Sequence, residues 1–253
     1  MRQNEYDPHW HHYKARRFTL NRKMPEEIHR PATRKFLQFL CLLFIIGATP
    51  AYAATAPLNI VMFGDSLTAG YLLPPGHAIP DMLDRALAEK NGPAVRIMNA
   101  GVSGDTTTGG LSRLDWAIGP DTDGVILELG ANDGLRGIDP DLTKKNLAAI
   151  IRTFQQRGIP VLLAGMVAPP NLGSDYGNQF DAVFPALAKE YGLRYIPFFM
   201  TGVLPDNNQN LTIDGMHPND QGVAIVVNRL LPSVELFITD VQKARHARAS
   251  GEK

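Results

Sequence analysis

The stretch Gly64-Asp65-Ser66-Leu67-Thr68-Ala69-Gly70-Tyr71 determines how the rest of this sequence is interpreted. It follows the apolar run 58–63, which is typical of a buried strand of a parallel sheet that ends at a glycine turn. In open α/β sheets, ligands bind outside the carboxyl ends of the strands. Ser66 directly follows such an end, so we interpret it as a candidate nucleophile on which later segments converge.

Strand and helix signals alternate along the chain from residue 57 onward. Further strand-like runs lie at 95–98, 124–129, 161–166 and 194–199. Apolar residues recur at helical spacing in 77–90, 139–154 and 180–191, and in a last helix expected to open at Pro218 and to be disturbed at Pro232. This alternation predicts an α/β fold with three layers, α/β/α, around a five-stranded parallel sheet.

The composition indicates a globular chain without a basic nucleic-acid surface. Its 253 residues are 44% hydrophobic and 20% charged, with a formal net charge of zero. Residues 1–53 carry nine Lys/Arg and four Asp/Glu, which leaves the remainder with a net charge of −5. We therefore expect no nucleic-acid partner.

Residues 1–53 are interpreted as an N-terminal extension that includes a secretory signal peptide. Arg34-Lys35 precedes the apolar run 36–48, and Ala51-Tyr52-Ala53 supplies the small residues of a cleavage site. The run is shorter than the ~20 residues of a spanning helix, so we expect no stable membrane span after cleavage near Ala53. An uncleaved anchor is the alternative, and Met24 would give a signal peptide of ordinary length.

The mature chain is then one domain, 54–253, with a short polar C-terminal tail that we expect to fray after Asp240. We expect the mature protein to be periplasmic or secreted. Cys41, the single cysteine, lies in the extension. The mature chain would have no thiol for a disulfide, a cysteine nucleophile or a cysteine metal site.

Four short segments at strand or helix ends carry polar residues that a fold does not require. They are Gly64-Asp65-Ser66, Ser103-Gly104-Asp105, Gly130-Ala131-Asn132-Asp133 and Asp214-Gly215-Met216-His217. Serine acylation needs a nucleophile, a base, a group that orients the base, and donors for the developing oxyanion. Together the four segments can supply each of these parts.

The sequence resembles the SGNH (GDSL) hydrolase family, and within it the bacterial periplasmic esterases of the thioesterase I/lysophospholipase type. The resemblance covers roughly residues 57–236. The strings GDSLTAGY, NAGVSGDTT, GANDGLRG and DGMHPN occur in the order and spacing of the family. It implies a flavodoxin-like SGNH hydrolase fold and ester hydrolysis through an acyl-enzyme, with no cofactor and no metal.

The resemblance also implies a role for each residue of the constellation. Ser66 would be the nucleophile, His217 its base and Asp214 the carboxylate that orients the base. The oxyanion hole would come from the backbone N–H groups of Ser66 and Gly104 and from the Asn132 side chain.

For each of these residues there is also a purely structural interpretation. Ser66 could cap the following helix, Gly104 could be a turn glycine, Asn132 could form an Asx-turn, and Asp214 and His217 could be a surface pair that occurs by chance. Because His217 precedes Pro218, we also expect it to occupy the N-cap of the last helix. The structural interpretation is also the one we expect for three aspartates outside the catalytic list, Asp65, Asp105 and Asp133.

The expected function is hydrolysis of carboxylic esters or thioesters, such as aryl esters, acyl-CoA or lysophospholipids, by a monomer. Residues 72–75, 135–137 and 166–180 are expected to wall an apolar acyl pocket. A carbohydrate O-deacetylase of the same family is the alternative enzyme, and a non-catalytic binding module is the alternative from another class. The natural substrate and the acyl chain length stay open.

Overall fold

The structure, a computed structural model, describes residues 56–204 and 209–251. The expectations about the signal peptide, Met24 and Cys41 therefore lie outside the described residues.

A five-stranded parallel sheet forms the centre of the fold, as the sequence predicts. The strands are β1 (Leu58–Gly64), β2 (Val95–Gly101), β3 (Gly124–Glu128), β4 (Val161–Ala164) and β5 (Arg194–Ile196). Their order in the sheet is β2-β1-β3-β4-β5, and every neighbouring pair is parallel. All carboxyl ends therefore lie at one edge of the sheet, with the end of β1 next to those of β2 and β3.

One or two helices lie between each strand and the next along the chain, and a last helix follows β5. They are α1 (Ser66–Ala69), α2 (Ile79–Ala88), α3 (Thr107–Ala117), α4 (Ala131–Leu135), α5 (Pro140–Gln156), α6 (Ser174–Asp181), α7 (Val183–Tyr191) and α8 (Asp220–Ser250). Strands β1, β3 and β4 are almost wholly buried, because helices cover both faces of a parallel sheet. This confirms the predicted three-layer architecture.

Helix α8 corrects three expectations at once. It begins at Asp220, because the Asn219 side chain accepts hydrogen bonds from the N–H groups of Gln221 and Gly222 and so acts as the N-cap. Neither His217 nor Pro218 starts the helix, so the N-cap expected at His217 was wrong. The helix also continues through Pro232 to Ser250, so the polar tail after Asp240 is helical where fraying was expected.

The long α8 packs into the core along much of its length. Val226, Leu230 and Phe237 are among its buried residues, and Phe237 and Val241 lie against Gly124 at the start of β3. By length and composition alone α8 could cross a membrane. Its buried face is that of a core helix, so it is weak evidence for a membrane span.

Two glycines let α1 sit against the carboxyl ends of β1 and β2. A Cβ at Gly64 would collide with the Thr68 hydroxyl and the Glu128 carboxyl group, and one at Gly101 would collide with the backbone of Ala69. The first turn after β1 is therefore held close to its neighbours, which fixes the place of Ser66.

Candidate active site

Ser66 is the first residue of α1, two residues beyond the end of β1. The N-cap of this helix is Asp65, whose Oδ1 accepts a hydrogen bond from the N–H of Leu67 at 3.0 Å. Because Asp65 performs the capping, the alternative interpretation of Ser66 as the cap was wrong. The Ser66 hydroxyl is free for another partner.

That partner is His217, which reaches Ser66 from the loop before α8. His217 Nε2 lies 2.9 Å from Ser66 Oγ, and His217 Nδ1 lies 2.7 Å from Asp214 Oδ2. A carboxylate that accepts from Nδ1–H leaves Nε2 unprotonated, so that it can accept the serine proton. The structure thus brings Ser66, His217 and Asp214 into one hydrogen-bonded chain.

Asp214 also organises the loop that carries the imidazole. Its Oδ1 accepts hydrogen bonds from the N–H groups of Met216 and His217 at 3.1 and 2.9 Å, across a turn in which Gly215 has φ +90°. Burial works to raise the pKa of Asp214, but these hydrogen bonds and the His217 ring outweigh it and lower the pKa to about 2. Asp214 is therefore an anion wherever the imidazole can act as a base.

Two backbone N–H groups, that of Ser66 itself and that of Gly104 in the loop after β2, have no protein acceptor among the described residues. Gly104 is the third residue of a turn closed by the bond from Asp105 N to Val102 O at 3.1 Å, and its φ is +82°. Glycine is needed there for that backbone conformation. Crowding does not require glycine there, since a Cβ would meet only Arg136 Nη2 among the described protein atoms, at 3.7 Å.

Asn132 lies in α4, just beyond the end of β3. Its Nδ2 donates to Asp65 Oδ2 at 3.2 Å, and a side-chain amide nitrogen carries a second hydrogen. Its Oδ1 accepts no hydrogen bond from the residues that the structure describes, so Asn132 does not form the Asx-turn of the alternative interpretation. Ser66, Gly104 and Asn132 thus follow three adjacent strands, β1, β2 and β3.

The remaining aspartates of the four segments brace the loops. Asp133 is buried and accepts from the backbone N–H of Thr107 at 2.8 Å and from its hydroxyl group, which ties α4 to α3. Asp105 pairs with Arg113, which also donates to Gly64 O at 2.9 Å. Both aspartates serve the framework of the site.

Two residues that lie beside the site, Tyr71 and Glu128, were not identified from the sequence. The Tyr71 ring lies 4.8 Å from the His217 ring, centroid to centroid. Glu128, fully buried at the end of β3, accepts from Thr68 Oγ1 at 2.6 Å and from Asp65 N at 3.2 Å. Glu128 could have been noticed as the one carboxylate in the apolar run 124–129, whereas nothing in the sequence marks Tyr71.

Large apolar side chains are exposed around this edge of the sheet. They lie on the segments that follow β1 to β4 and on the loop that carries His217. These side chains are Tyr71, Leu72, Val102, Leu135, Val167, Ile213 and Met216. A cavity of about 680 Å³ lies elsewhere, near the opposite edge, and includes Asp123, Arg157 and Arg248 but none of the residues of the constellation. The exposed apolar side chains are therefore separate from that cavity.

No group of three or more His, Cys, Asp or Glu side chains within residues 56–204 and 209–251 is arranged to hold a metal ion. The chemistry that this geometry offers is proton transfer between a hydroxyl group and an imidazole, beside backbone and amide donors.

Known proteins share this arrangement of sequence and fold. Residues 62–225 match the model of the GDSL-like lipase/acylhydrolase family. The chain is 37% identical over 183 residues to an arylesterase of Vibrio mimicus, covering 72% of this chain and 88% of the relative. It is 36% identical over 185 residues to thioesterase 1/protease 1/lysophospholipase L1 of Escherichia coli (strain K12), covering 73% and 86%.

A solved structure also aligns with the fold. The crystal structure of AlinE4, an esterase of the SGNH-hydrolase family, superimposes with a TM-score of 0.60 at 43% identity. The alignment covers 71% of this chain and 95% of AlinE4.

Proposed function

Because this chain belongs to the GDSL-like lipase/acylhydrolase family, and so is a serine esterase of the SGNH type, we propose that Ser66 is its nucleophile. The observation that carries this proposal is the chain of contacts from Asp214 to His217 to Ser66, at 2.7 and 2.9 Å. His217 is then the general base and Asp214 the carboxylate that orients and stabilises it.

The reaction runs in two steps of acyl transfer. Ser66 Oγ attacks the ester carbonyl while its proton passes to His217 Nε2, and the carbonyl oxygen becomes an oxyanion. The imidazolium returns this proton to the leaving alcohol or thiol as the tetrahedral intermediate collapses to the acyl-enzyme. A water molecule, deprotonated by His217, then attacks the acyl carbon. The bond to Ser66 Oγ breaks, the imidazolium returns the proton to Oγ, and the acid is released.

The oxyanion is stabilised by the free N–H groups of Ser66 and Gly104 and by the second amide hydrogen of Asn132. These donors follow three neighbouring strands and are held by the framework before substrate arrives. Donors placed in advance need no reorganisation during the reaction, and removal of one such donor lowers kcat by about 10²–10³-fold.

The proposed substrates are esters or thioesters with an apolar acyl or aryl group. The exposed apolar edge around Ser66 supports this choice, as do relatives named arylesterase and thioesterase 1/lysophospholipase. A carbohydrate O-deacetylase is less favoured, because Tyr71 is the one aromatic residue among the exposed apolar side chains described at that edge, and Trp116 is on α3.

Covalent labelling tests the nucleophile. We expect a fluorophosphonate to label the wild-type chain and not Ser66→Ala, while Ser112→Ala, an exposed serine on α3, labels like wild type. Mass spectrometry of the labelled peptide should place the adduct on Ser66. An unlabelled wild type, or an adduct retained in Ser66→Ala, would show that the mechanism is wrong.

A substrate panel tests the acyl preference. We expect kcat/KM to be higher for aryl and octanoyl esters and for acyl-CoA than for acetylated sugars, because the edge offers apolar contact area. The panel is run at substrate concentrations below micelle formation, with Ser66→Ala as the blank. A higher kcat/KM for acetylated sugars would favour the deacetylase.

Export through the segment 34–53, followed by action in the periplasm or outside the cell, is proposed from the sequence alone. Fractionation of an expressing bacterium with N-terminal sequencing tests this: an N-terminus at Ala54 in the periplasmic fraction supports it, and uncleaved cytoplasmic protein contradicts it. A monomer is likewise proposed, and light scattering measures it.

A further inference from the structure

Asp65 is fully buried beside the nucleophile and uses both of its carboxyl oxygens. Oδ1 accepts from the N–H of Leu67 at 3.0 Å, and Oδ2 accepts from Asn132 Nδ2 at 3.2 Å. The first bond caps α1, but the second crosses from the end of β1 to α4 and has no part in forming either helix. This second bond needs another explanation.

The bond determines which way the Asn132 amide faces. An asparagine side chain has a donating end and an accepting end of nearly the same shape. A carboxylate oxygen attracts the nitrogen of Asn132 and repels its carbonyl oxygen. With one amide hydrogen bound to Asp65, the other is the one left for the oxyanion, whereas the flipped amide would present an oxygen to it.

The charge of this acceptor depends on its burial and on the neighbouring carboxyl group of Glu128. Burial raises the pKa of Asp65 to about 6, while hydrogen bonds from Leu67 and Asn132 and the nearby His217 work to lower it and Asp105 works to raise it. Beneath Asp65, burial and the Asp65 charge raise the pKa of Glu128 well above its usual range. Of the two carboxyl groups, Glu128 therefore keeps its proton to higher pH, which leaves the negative charge of the pair on Asp65.

We propose that Asp65 is a positioning residue of the oxyanion hole, which holds the amide nitrogen of Asn132 toward the reacting carbonyl. This rests on the proposed role of Asn132 and adds to it the group that sets its orientation. Asp65 touches no reacting atom and acts through Asn132.

The two buried carboxyl groups give a matched pair of isosteric substitutions. In the wild type, both oxygens of Asp65 accept hydrogen bonds. In Asp65→Asn, the new NH₂ group replaces one of them, so either Leu67 N–H or Asn132 Nδ2 then faces a donor and loses its acceptor. In Glu128→Gln, a single oxygen, Oε2, accepts both bonds, and Oε1 has no partner among the described residues, so the NH₂ group can take its place.

We expect Asp65→Asn to lower kcat on the order of 10²-fold, with KM changed less than threefold, because an oxyanion donor is realised in the transition state. Glu128→Gln should stay within about threefold of wild type in kcat. Asp65→Ser repeats the test with a side chain that is a good N-cap but is too short to reach Asn132. If thermal unfolding shows that Asp65→Asn is unfolded, Asp65→Ser is used in its place.

A double-mutant cycle with Asn132→Ala decides whether Asp65 acts through Asn132. In the Asn132→Ala background, the Asp65 substitution should lower kcat less than about threefold further, since there is no amide left to orient. The inference is overturned if the Asp65 variants keep the wild-type kcat, or if they lower kcat equally in both backgrounds, as a structural role would. Failure of the proposed function is distinct, because wild type would then not react with the fluorophosphonate.

Discussion

Asp214 accepts three hydrogen bonds with its two oxygens, from two backbone N–H groups and from the His217 ring. One residue therefore shapes the loop and orients the base. Asp65, by contrast, is fully buried, and its pKa shifts the other way. Hydrogen bonding dominates the first carboxyl group and desolvation the second.

At Asp214 we predict that Asp214→Asn lowers kcat by about 10³–10⁴-fold, because an amide opposite Nδ1 no longer selects the tautomer with a free Nε2. The measurement is steady-state hydrolysis of an aryl ester. Asp220→Asn is the control, since Asp220 is exposed and pairs with His77. A wild-type rate in Asp214→Asn would contradict its role.

The lowered pKa of Asp214 also predicts how the stability of the protein changes with pH. A lowered pKa in the folded state means that the contribution of Asp214 is complete above the unfolded pKa of about 3.9 and is lost as pH falls toward 2. The difference in unfolding free energy between wild type and Asp214→Asn should therefore shrink as pH falls from 5. Urea denaturation at several pH values measures it, and a difference that grows on acidification would refute it.

At the scale of elements, the end of α8 is fastened to the edge of the sheet opposite the site. Arg248 donates to Asp123 Oδ1 at 2.9 Å and to Gly158 O at 2.7 Å, and Asp123 also accepts from Asn59 N at 3.0 Å. These bonds connect the helix to the start of β1, the start of β3 and the loop after α5. They explain why the polar end of the chain is helical.

We predict that Arg248→Ala lowers the free energy of unfolding by about 1 kcal/mol, because two acceptors lose a charged donor that is partly screened by solvent. Lys243→Ala is the matched control, an exposed cation on the same helix, and should leave stability unchanged. Chemical denaturation measures both variants. Equal effects from the two substitutions would show that Arg248 is not a specific tie.

Elements with long or uninterrupted patterns were predictable from the sequence. The five strands were found from apolar runs that end at glycine or polar residues, and the helical spacing in 139–154 corresponds to α5. The start of α8 was mispredicted because Pro218 and Asn219 are competing start signals and the Asn side chain provides the cap. Helices α1 and α4 have four and five residues, too few to show a period.

In the site too, the positions of residues at strand ends were predictable, whereas contacts between distant loops were not. Residues at strand ends could be placed together, since parallel strands bring their carboxyl ends to one edge. The bond between Asp65 and Asn132 spans 67 residues and depends on the geometry of two turns, so no local pattern encodes it. The contact of Tyr71 with His217 likewise depends on how two loops meet.

At the scale of the whole molecule, the two edges of the sheet have different tasks. The edge with the carboxyl ends carries the constellation and the exposed apolar side chains. The other edge is closed by α8 and its arginines.

This division predicts that residues 54–253 are sufficient for fold and activity. The buried core of the described chain runs from Leu58 to Val241, and residues Ala54–Lys253 form a compact unit of their own. We expect a chain that starts at Ala54 to unfold in one cooperative transition and to match the kcat and KM of a chain that starts at Met24. Thermal unfolding and aryl ester hydrolysis measure this, with Ser66→Ala in each chain as the blank. A broad transition or a tenfold lower kcat in the shorter chain would show that residues before Ala54 belong to the working enzyme.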